Sequence, residues 1–281
     1  MTSLLGAADV RRIAGELDIH PTKKWGQNFV IDPNTVRRIV RSADVSSDDV
    51  VLEVGPGLGS LTLALLETGA HVVAVEIDPR LANRLPETVE EFAAGSGERL
   101  TVVQADALTV TELPKEPTAL VANLPYNVSV PVVLHLLATF PSIERVLVMV
   151  QREVADRLCA KPGSRTYGTP SVKARWFGDV HYAGDVGRSV FWPAPNVDSG
   201  LVSIVRRPEP EGVDRARVFS AIDAAFGQRR KQVKSALAGW VPPSMTSESV
   251  LVAAGVDPRS RGENLDLDDF CSIVRAASSD A

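Results

Sequence analysis

Residues 50–59 read Val-Val-Leu-Glu-Val-Gly-Pro-Gly-Leu-Gly, an apolar, β-branched run that breaks into alternating glycines. Such a run predicts a buried strand. Gly55, Gly57 and Gly59 allow a tight turn into the helical stretch Ser60–Thr68 and a close backbone approach to a ligand. A strand feeding a helix in this way commits the chain to βαβ units and a mainly parallel sheet. The next strand, His71–Ile77, ends in Glu76-Ile77-Asp78, which puts a carboxylate 21 positions beyond Gly55. An acid at that place accepts hydrogen bonds from ribose hydroxyls. The pair therefore points to a nucleoside-containing cofactor, a dinucleotide or S-adenosylmethionine, although βα turns without ligands are common.

Two further strand ends narrow the choice. Leu100-Thr-Val-Val-Gln104 is followed by Ala105-Asp106-Ala107; Asp106 can accept from an adenine amino group, or serve as a helix N-cap. Ala119-Leu-Val-Ala122 then runs into Asn123-Leu124-Pro125-Tyr126. An amide, a proline-rigidified backbone and an aromatic ring within four residues can grip a planar base carrying an exocyclic amine. The Asn123 oxygen and the Leu124 carbonyl accept the two N–H groups, and the Tyr126 ring stacks on the base. An aromatic amine is a poor nucleophile because its lone pair is delocalised into the ring; two acceptors on its hydrogens favour a pyramidal nitrogen. The plainer reading is a strand end closed by a turn, with a core tyrosine. In an open parallel sheet, ligands bind outside the carboxyl ends of the strands, so Gly55, Glu76, Asp106 and Asn123 converge on one crevice. Hydride transfer needs no such clamp, whereas methylation of a base amine does.

With these residues in view, the chain resembles the ribosomal-RNA adenine dimethyltransferase family, and within it the bacterial small-subunit branch. The matching segments are Gly26-Gln-Asn-Phe-Val30, Glu53-Val-Gly-Pro-Gly-Leu-Gly59, Glu76-Ile-Asp78, Gln104-Ala-Asp-Ala107, Asn123-Leu-Pro-Tyr-Asn127, Met149-Val-Gln-Arg-Glu-Val154, Tyr167-Gly168 with Ser171-Val172, Phe191-Trp-Pro-Ala-Pro-Asn-Val-Asp-Ser199 and Phe226-Gly-Gln-Arg-Arg-Lys231. The resemblance implies a Rossmann-like methyltransferase domain using S-adenosyl-L-methionine, with cofactor contacts at Asn28, Val30, Gly55, Gly57, Glu76, Asp106 and Asn123. It also implies a second aromatic surface for the target base from Phe191, for which a core position beside Trp192 is the competing reading. The implied substrate is small-subunit rRNA or an immature small ribosomal subunit, dimethylated on two adjacent adenines of a 3′-terminal hairpin loop by a monomeric enzyme. Departures are Val30 where Leu is usual, Val130 where Thr is usual and Gly227 where Ser is common. The sister enzymes that dimethylate large-subunit rRNA and confer macrolide resistance are the nearest alternative; a non-catalytic nucleic-acid-binding relative is another. The tail, with Gly255-Val-Asp-Pro258 and Arg261-Gly-Glu-Asn-Leu265, looks more like the small-subunit branch.

A net charge of −5 at first argues against an RNA partner. Residues 141–240, however, carry 16 Lys and Arg against 10 Asp and Glu, and RNA binding needs a basic face rather than a basic protein. Candidate phosphate contacts are Lys23, Lys24, Lys161, Arg165, Lys173, Arg175, Arg229, Arg230, Lys231 and Lys234. Any one of them alone is more simply a solvated charge. The run at 229–231 with Lys234 stands out because positions 230 and 234 share a helical face.

Helices are expected over Ala8–Leu17, Pro33–Ser42 and Arg152–Cys159, with a loop at Trp25–Val30 between the first two. Strand Arg145–Val150 and β character over Asp179–Arg207, ending in strand Val202–Val205, would add an antiparallel edge. Arg207-Pro-Glu-Pro-Glu-Gly212 reads as a linker. Beyond it Asp214–Phe226, Gln228–Ala238, Ser247–Ala254 and Leu267–Ala277 carry helical periodicity. This divides the chain into a catalytic domain, 1–207, and a small all-helical RNA-contacting domain, 208–281. Two cysteines and four scattered histidines give neither a disulfide framework nor a metal site. With no signal-peptide pattern or membrane-length apolar run, a cytoplasmic protein is expected.

Overall fold

A computed structural model of the chain describes residues 3–19 and 28–278. Helix α1 (Ala7–Glu16) precedes the short strand β1 (Phe29–Val30). Helix α2 (Pro33–Ser42) starts where Asp32 accepts the Thr35 N–H at 2.9 Å and Pro33 occupies the first turn, a combination that satisfies a free amide and presets the backbone. The βα alternation then follows: β2 (Val50–Val54), α3 (Ser60–Glu67), β3 (His71–Glu76), α4 (Pro79–Phe92), β4 (Leu100–Gln104), β5 (Ala119–Asn123), α5 (Ser129–Thr139), β6 (Arg145–Gln151) and α6 (Arg152–Cys159). Helix α4 repeats the Asp-Pro start, with Asp78 accepting from Arg80 N–H. Next come α7 (Thr169–Phe177), the long strand β7 (Gly178–Val186), the two-residue β8 (Phe191–Trp192) and β9 (Ser199–Arg206).

The main sheet has seven strands in the order β4-β3-β2-β5-β6-β9-β7. Pairing is parallel from β4 through to β6, and β9 lies antiparallel to β6, with Gln151 opposite Ser199. The expected antiparallel edge is therefore present, and its last strand begins at Ser199, three residues before Val202. The central strands are buried on both sides: Val51, Leu52, Val72, Val73, Ala74, Ala119 and Leu120 are fully covered, as parallel strands require. Where the sequence predicts a loop at Phe29–Val30, β1 pairs with β8 in a separate two-stranded sheet, Phe29 opposite Trp192 and Val30 opposite Phe191.

The tail contains α8 (Arg215–Gly227), the single-turn α9 (Val233–Ala236), α10 (Ser247–Ala253) and α11 (Leu267–Ala276). The helix expected over Gln228–Ala238 is reduced to α9, because residues 228–230 form a turn closed by Lys231 N–H on the Gln228 carbonyl at 2.8 Å. Arg230 and Lys234 are thus not on one helical face.

The chain forms two compact units, residues 1–155 with 181–206, and residues 156–180 with 207–281. The break at 206/207 falls at the expected linker, but 156–180 joins the helical unit, which a division at 207 alone does not anticipate. Aromatic packing accounts for this: Trp176 and Phe177 meet Phe219 edge-on, and Tyr167 meets Phe226. The buried Tyr167 hydroxyl donates to the Leu265 carbonyl at 2.9 Å.

Candidate functional site

The carboxyl ends of β2, β3 and β5 and the loop after β4 enclose a cavity of about 290 Å³. Gly55, Gly57, Glu76, Asp106, Asn123, Leu124, Pro125 and Tyr126 all line it, together with Asn28 and Val30 from the segment before α2. The topology explains the convergence: parallel neighbours β4, β3, β2 and β5 end on the same side of the sheet.

The glycine turn brings backbone amides to the cavity. Gly57 has φ +59° and donates its N–H to Glu76 Oε2 at 3.2 Å. A Cβ there would stand 2.9 Å from the Phe29 ring, so a side chain would push β1 away from the turn. Val30 is fixed next to it, its carbonyl accepting from Ser60 Oγ at 2.7 Å. Glu76 is 5% exposed and also accepts the Asp78 N–H at 2.9 Å. Burial pushes its carboxyl above the usual range despite these amide bonds, and the charge of Asp78 adds to the rise. Asp106 accepts the Leu108 N–H through Oδ1 at 2.9 Å, which closes a turn where the plainer reading expected a helix N-cap, and it lines the cavity.

Glu53 is a wall residue to which the sequence motifs assign no role. It lies on the wall, 1% exposed, accepting from Thr62 Oγ1 at 2.7 Å. Burial pushes its carboxyl up to about 8, and the nearby Glu76 charge contributes. A glutamate within Val-Val-Leu-Glu-Val was the available signal, since an unpaired acid in a buried strand is costly without a purpose. Ile77, 50% exposed, is a second lining residue not singled out beforehand. A large apolar side chain left open beside a carboxylate suits the face of a base.

The chemistry of the wall tests the cofactor. Among the described residues, Glu53, Glu76, Asp78 and Asp106 line the cavity and no Lys, Arg or His does. Such a surface fits a ligand carrying positive charge and hydroxyl donors, as S-adenosylmethionine does. It opposes the pyrophosphate of a dinucleotide, which needs cationic or amide-rich surroundings.

The clamp is oriented by its neighbours. Asn123 Nδ2 donates to the Asn28 carbonyl at 3.1 Å, which settles the amide orientation and leaves Oδ1 as the acceptor. Leu124 N–H donates to the Met149 carbonyl at 3.0 Å, continuing the ladder past the end of β5. The half-buried Tyr126 shares a 3.1 Å hydroxyl–hydroxyl bond with Ser199. Burial holds its phenol above the ordinary value, so the ring is neutral at physiological pH. Phe191 does not join them. It is 3% exposed in the core cluster, opposite Val30, and is absent from the cavity wall. The core position is the one the structure shows for it.

The basic residues divide. Lys23 and Lys24 lie outside the described residues. Arg229 is committed within its own unit, to Glu263 at 2.9 Å and to the Arg165 carbonyl at 2.8 Å. Lys173 pairs with Asp223, and Arg175 donates to the Leu158, Ser171 and Cys159 carbonyls. Arg230 and Lys231 are exposed and Lys234 is half-buried.

The sequence profile of a family described as ribosomal RNA adenine dimethylase matches residues 20–278. The chain is similar to the ribosomal RNA small subunit methyltransferase A of Thermobifida fusca, 63% identical over 273 residues that make up 96% of this chain and 95% of the relative. It is similar to the protein of the same description from Streptomyces coelicolor, 61% identical over 275 residues, 97% and 96% of the two chains. Among solved structures, the 23S rRNA methyltransferase ErmE is 30% identical with TM-score 0.67, over 90% of this chain and 100% of that one. A dimethyladenosine transferase from Plasmodium falciparum shares the fold, with TM-score 0.75 at 24% identity over 87% and 95%.

Proposed function

Because this chain belongs to the ribosomal RNA adenine dimethylase family, we propose that it dimethylates two adjacent adenines in a 3′-terminal hairpin loop of small-subunit rRNA during ribosome assembly. It is an rRNA adenine methyltransferase that uses S-adenosylmethionine. The identity of 63% to a small-subunit methyltransferase, against 30% to a 23S enzyme, favours the small subunit over the macrolide-resistance type. The complete clamp favours catalysis over a purely nucleic-acid-binding role.

The observation that carries the reading is the Asn123 amide on the cavity wall, held through Nδ2 by the Asn28 carbonyl. When bound, S-adenosylmethionine supplies a methyl group on a positively charged sulfur. Asn123 Oδ1 and the Leu124 carbonyl accept the two hydrogens of the adenine amine and turn its lone pair out of the base plane. Tyr126 stacks on the base and fixes the line of approach, positioning being the main contribution such a displacement needs. The amine becomes acidic once methylated and releases its proton to water, so no strong base is required. Glu76 binds the ribose hydroxyls, Asp106 the adenine amino group of the cofactor, and the Gly55–Gly57 turn, Asn28 and Val30 complete the enclosure. Arg230, Lys231 and Lys234 contact phosphates, with Lys23 and Lys24 as further contacts, and a single chain in the cytoplasm performs the reaction.

The test is incubation of the protein with labelled S-adenosylmethionine and, separately, unmethylated small and large ribosomal subunits, followed by mapping of the labelled bases. Two adjacent dimethyladenosines near the 3′ end of small-subunit rRNA are expected. Label confined to the large subunit would overturn the proposal.

A further inference from the structure

The clamp is anchored at both ends, and the anchor at Tyr126 comes from a residue to which the reaction has so far given no role. Ser199 is fully buried. It opens β9 opposite Gln151 in the antiparallel ladder, and the carbonyl before it, of Asp198, accepts the Arg152 N–H at 2.9 Å. Its hydroxyl is therefore fixed to the main sheet. Tyr126 lies in the loop between β5 and α5, and its 3.1 Å bond to Ser199 Oγ reaches across 73 positions of sequence. The Tyr126 hydroxyl lies on the axis about which the ring turns, so the bond fixes the direction of that axis, and with it where the ring stands beside the cavity, rather than the ring's rotation.

We propose that Ser199 is a positioning residue whose main effect is on the second of the two methyl transfers. The inference rests on the reading of Tyr126 as the base-stacking ring. In the first transfer the amine offers two hydrogens, one each to Asn123 Oδ1 and the Leu124 carbonyl. The nitrogen attacks the methyl carbon, the carbon–sulfur bond breaks with its electron pair going to sulfur, and one proton leaves to water. The monomethylated amine then has a single hydrogen, so one of the two acceptors loses its donor. With half of the polar grip gone, the placement of the base depends more heavily on the stacking ring, which Ser199 holds in position through the Tyr126 hydroxyl.

The experiment is single-turnover methylation of unmethylated small ribosomal subunits at saturating S-adenosylmethionine by the full-length protein, with nucleoside mass spectrometry separating monomethyl- from dimethyladenosine. Ser199→Ala is expected to leave the first transfer within about twofold of the parent and slow the second roughly two- to tenfold, the range of one neutral hydrogen bond. Monomethyladenosine accumulates as a result. Ser199→Thr, which keeps the hydroxyl, restores the parent ratio. Tyr126→Phe removes the same bond from the other side and reproduces the product ratio of Ser199→Ala; the double variant is no worse than either. Parent-like ratios in Ser199→Ala and Tyr126→Phe, or equal slowing of both transfers, would overturn the role of Ser199 while a slow Tyr126→Ala leaves the clamp standing. A parent-like Tyr126→Ala would overturn the clamp itself.

Discussion

Asn123 Nδ2 and the Asn28 carbonyl meet at 3.1 Å across 95 positions of sequence. The bond joins the end of a central strand to the segment that leads into β1, so two residues of the cavity wall from distant parts of the chain are held by one contact. The remaining polar wall is set by Glu76, Glu53 and the glycine turn, and each makes a measurable claim.

Glu76 is assigned to the cofactor ribose. Charge-assisted hydrogen bonds contribute roughly 1.5–3 kcal/mol, so Glu76→Ala weakens S-adenosylmethionine binding by about tenfold or more. Titration calorimetry on the folded variant reads this directly, and unchanged affinity would remove Glu76 from the site.

Glu53 makes the unliganded protein sensitive to pH. Its carboxyl titrates near 8 when folded, against 4.5 ordinarily, so the folded state holds a proton that the unfolded chain has released. This contribution to stability is complete below about 4.5 and is lost as pH rises towards about 8, at up to about 1.4 kcal/mol per pH unit. Glu53→Gln is therefore more stable than the parent at pH 8, and its unfolding free energy varies less between pH 5 and 8. Denaturant unfolding at several pH values checks it; parallel curves for the two proteins would refute it.

Gly57→Ala combines a positive φ of 59° with an approach of 2.9 Å to the Phe29 ring. The expected cost is about 1–3 kcal/mol, accompanied by loss of cofactor affinity because the Glu76 partner shifts. Thermal unfolding and calorimetry on the same sample measure both, and a variant indistinguishable from the parent in both would contradict the packing described.

Arg230 and Lys231 are exposed, whereas Arg229 is bound to Glu263 and the Arg165 carbonyl. Replacing Arg230 and Lys231 by Ala lowers subunit affinity and reduces the salt slope by roughly one to two, leaving cofactor affinity alone. Arg229→Ala acts mainly on stability. Equal salt slopes for the double variant and the parent would move the RNA face elsewhere.

The catalytic half was legible where local chemistry repeats a rule. Val50–Val54 and Leu100–Gln104 announce strands by composition, Asp32-Pro33 and Asp78-Pro79 announce helix starts, and parallel topology brings Gly55, Glu76, Asp106 and Asn123 to one end. What escaped depends on distant partners. A two-residue strand such as Phe29–Val30 has no period to read, and neither the Asn28–Asn123 nor the Ser199–Tyr126 bond leaves a trace in local sequence. The fate of Arg229 was hidden for the same reason, since Glu263 lies 34 positions away. Residues 156–180 looked like part of the first domain because chain order, and not the aromatic contacts to Phe219 and Phe226, is what a sequence displays.

The measurement that tests the central claim most directly is the single-turnover rate of Asn123→Ala on unmethylated small subunits at saturating S-adenosylmethionine, with cofactor affinity and subunit binding determined on the same preparation. Loss of a preorganised polar contact at the reacting atom predicts a fall of about a hundredfold or more while subunit binding stays near the parent value. Dimethyladenosine formed at the parent rate by the folded variant would contradict the clamp.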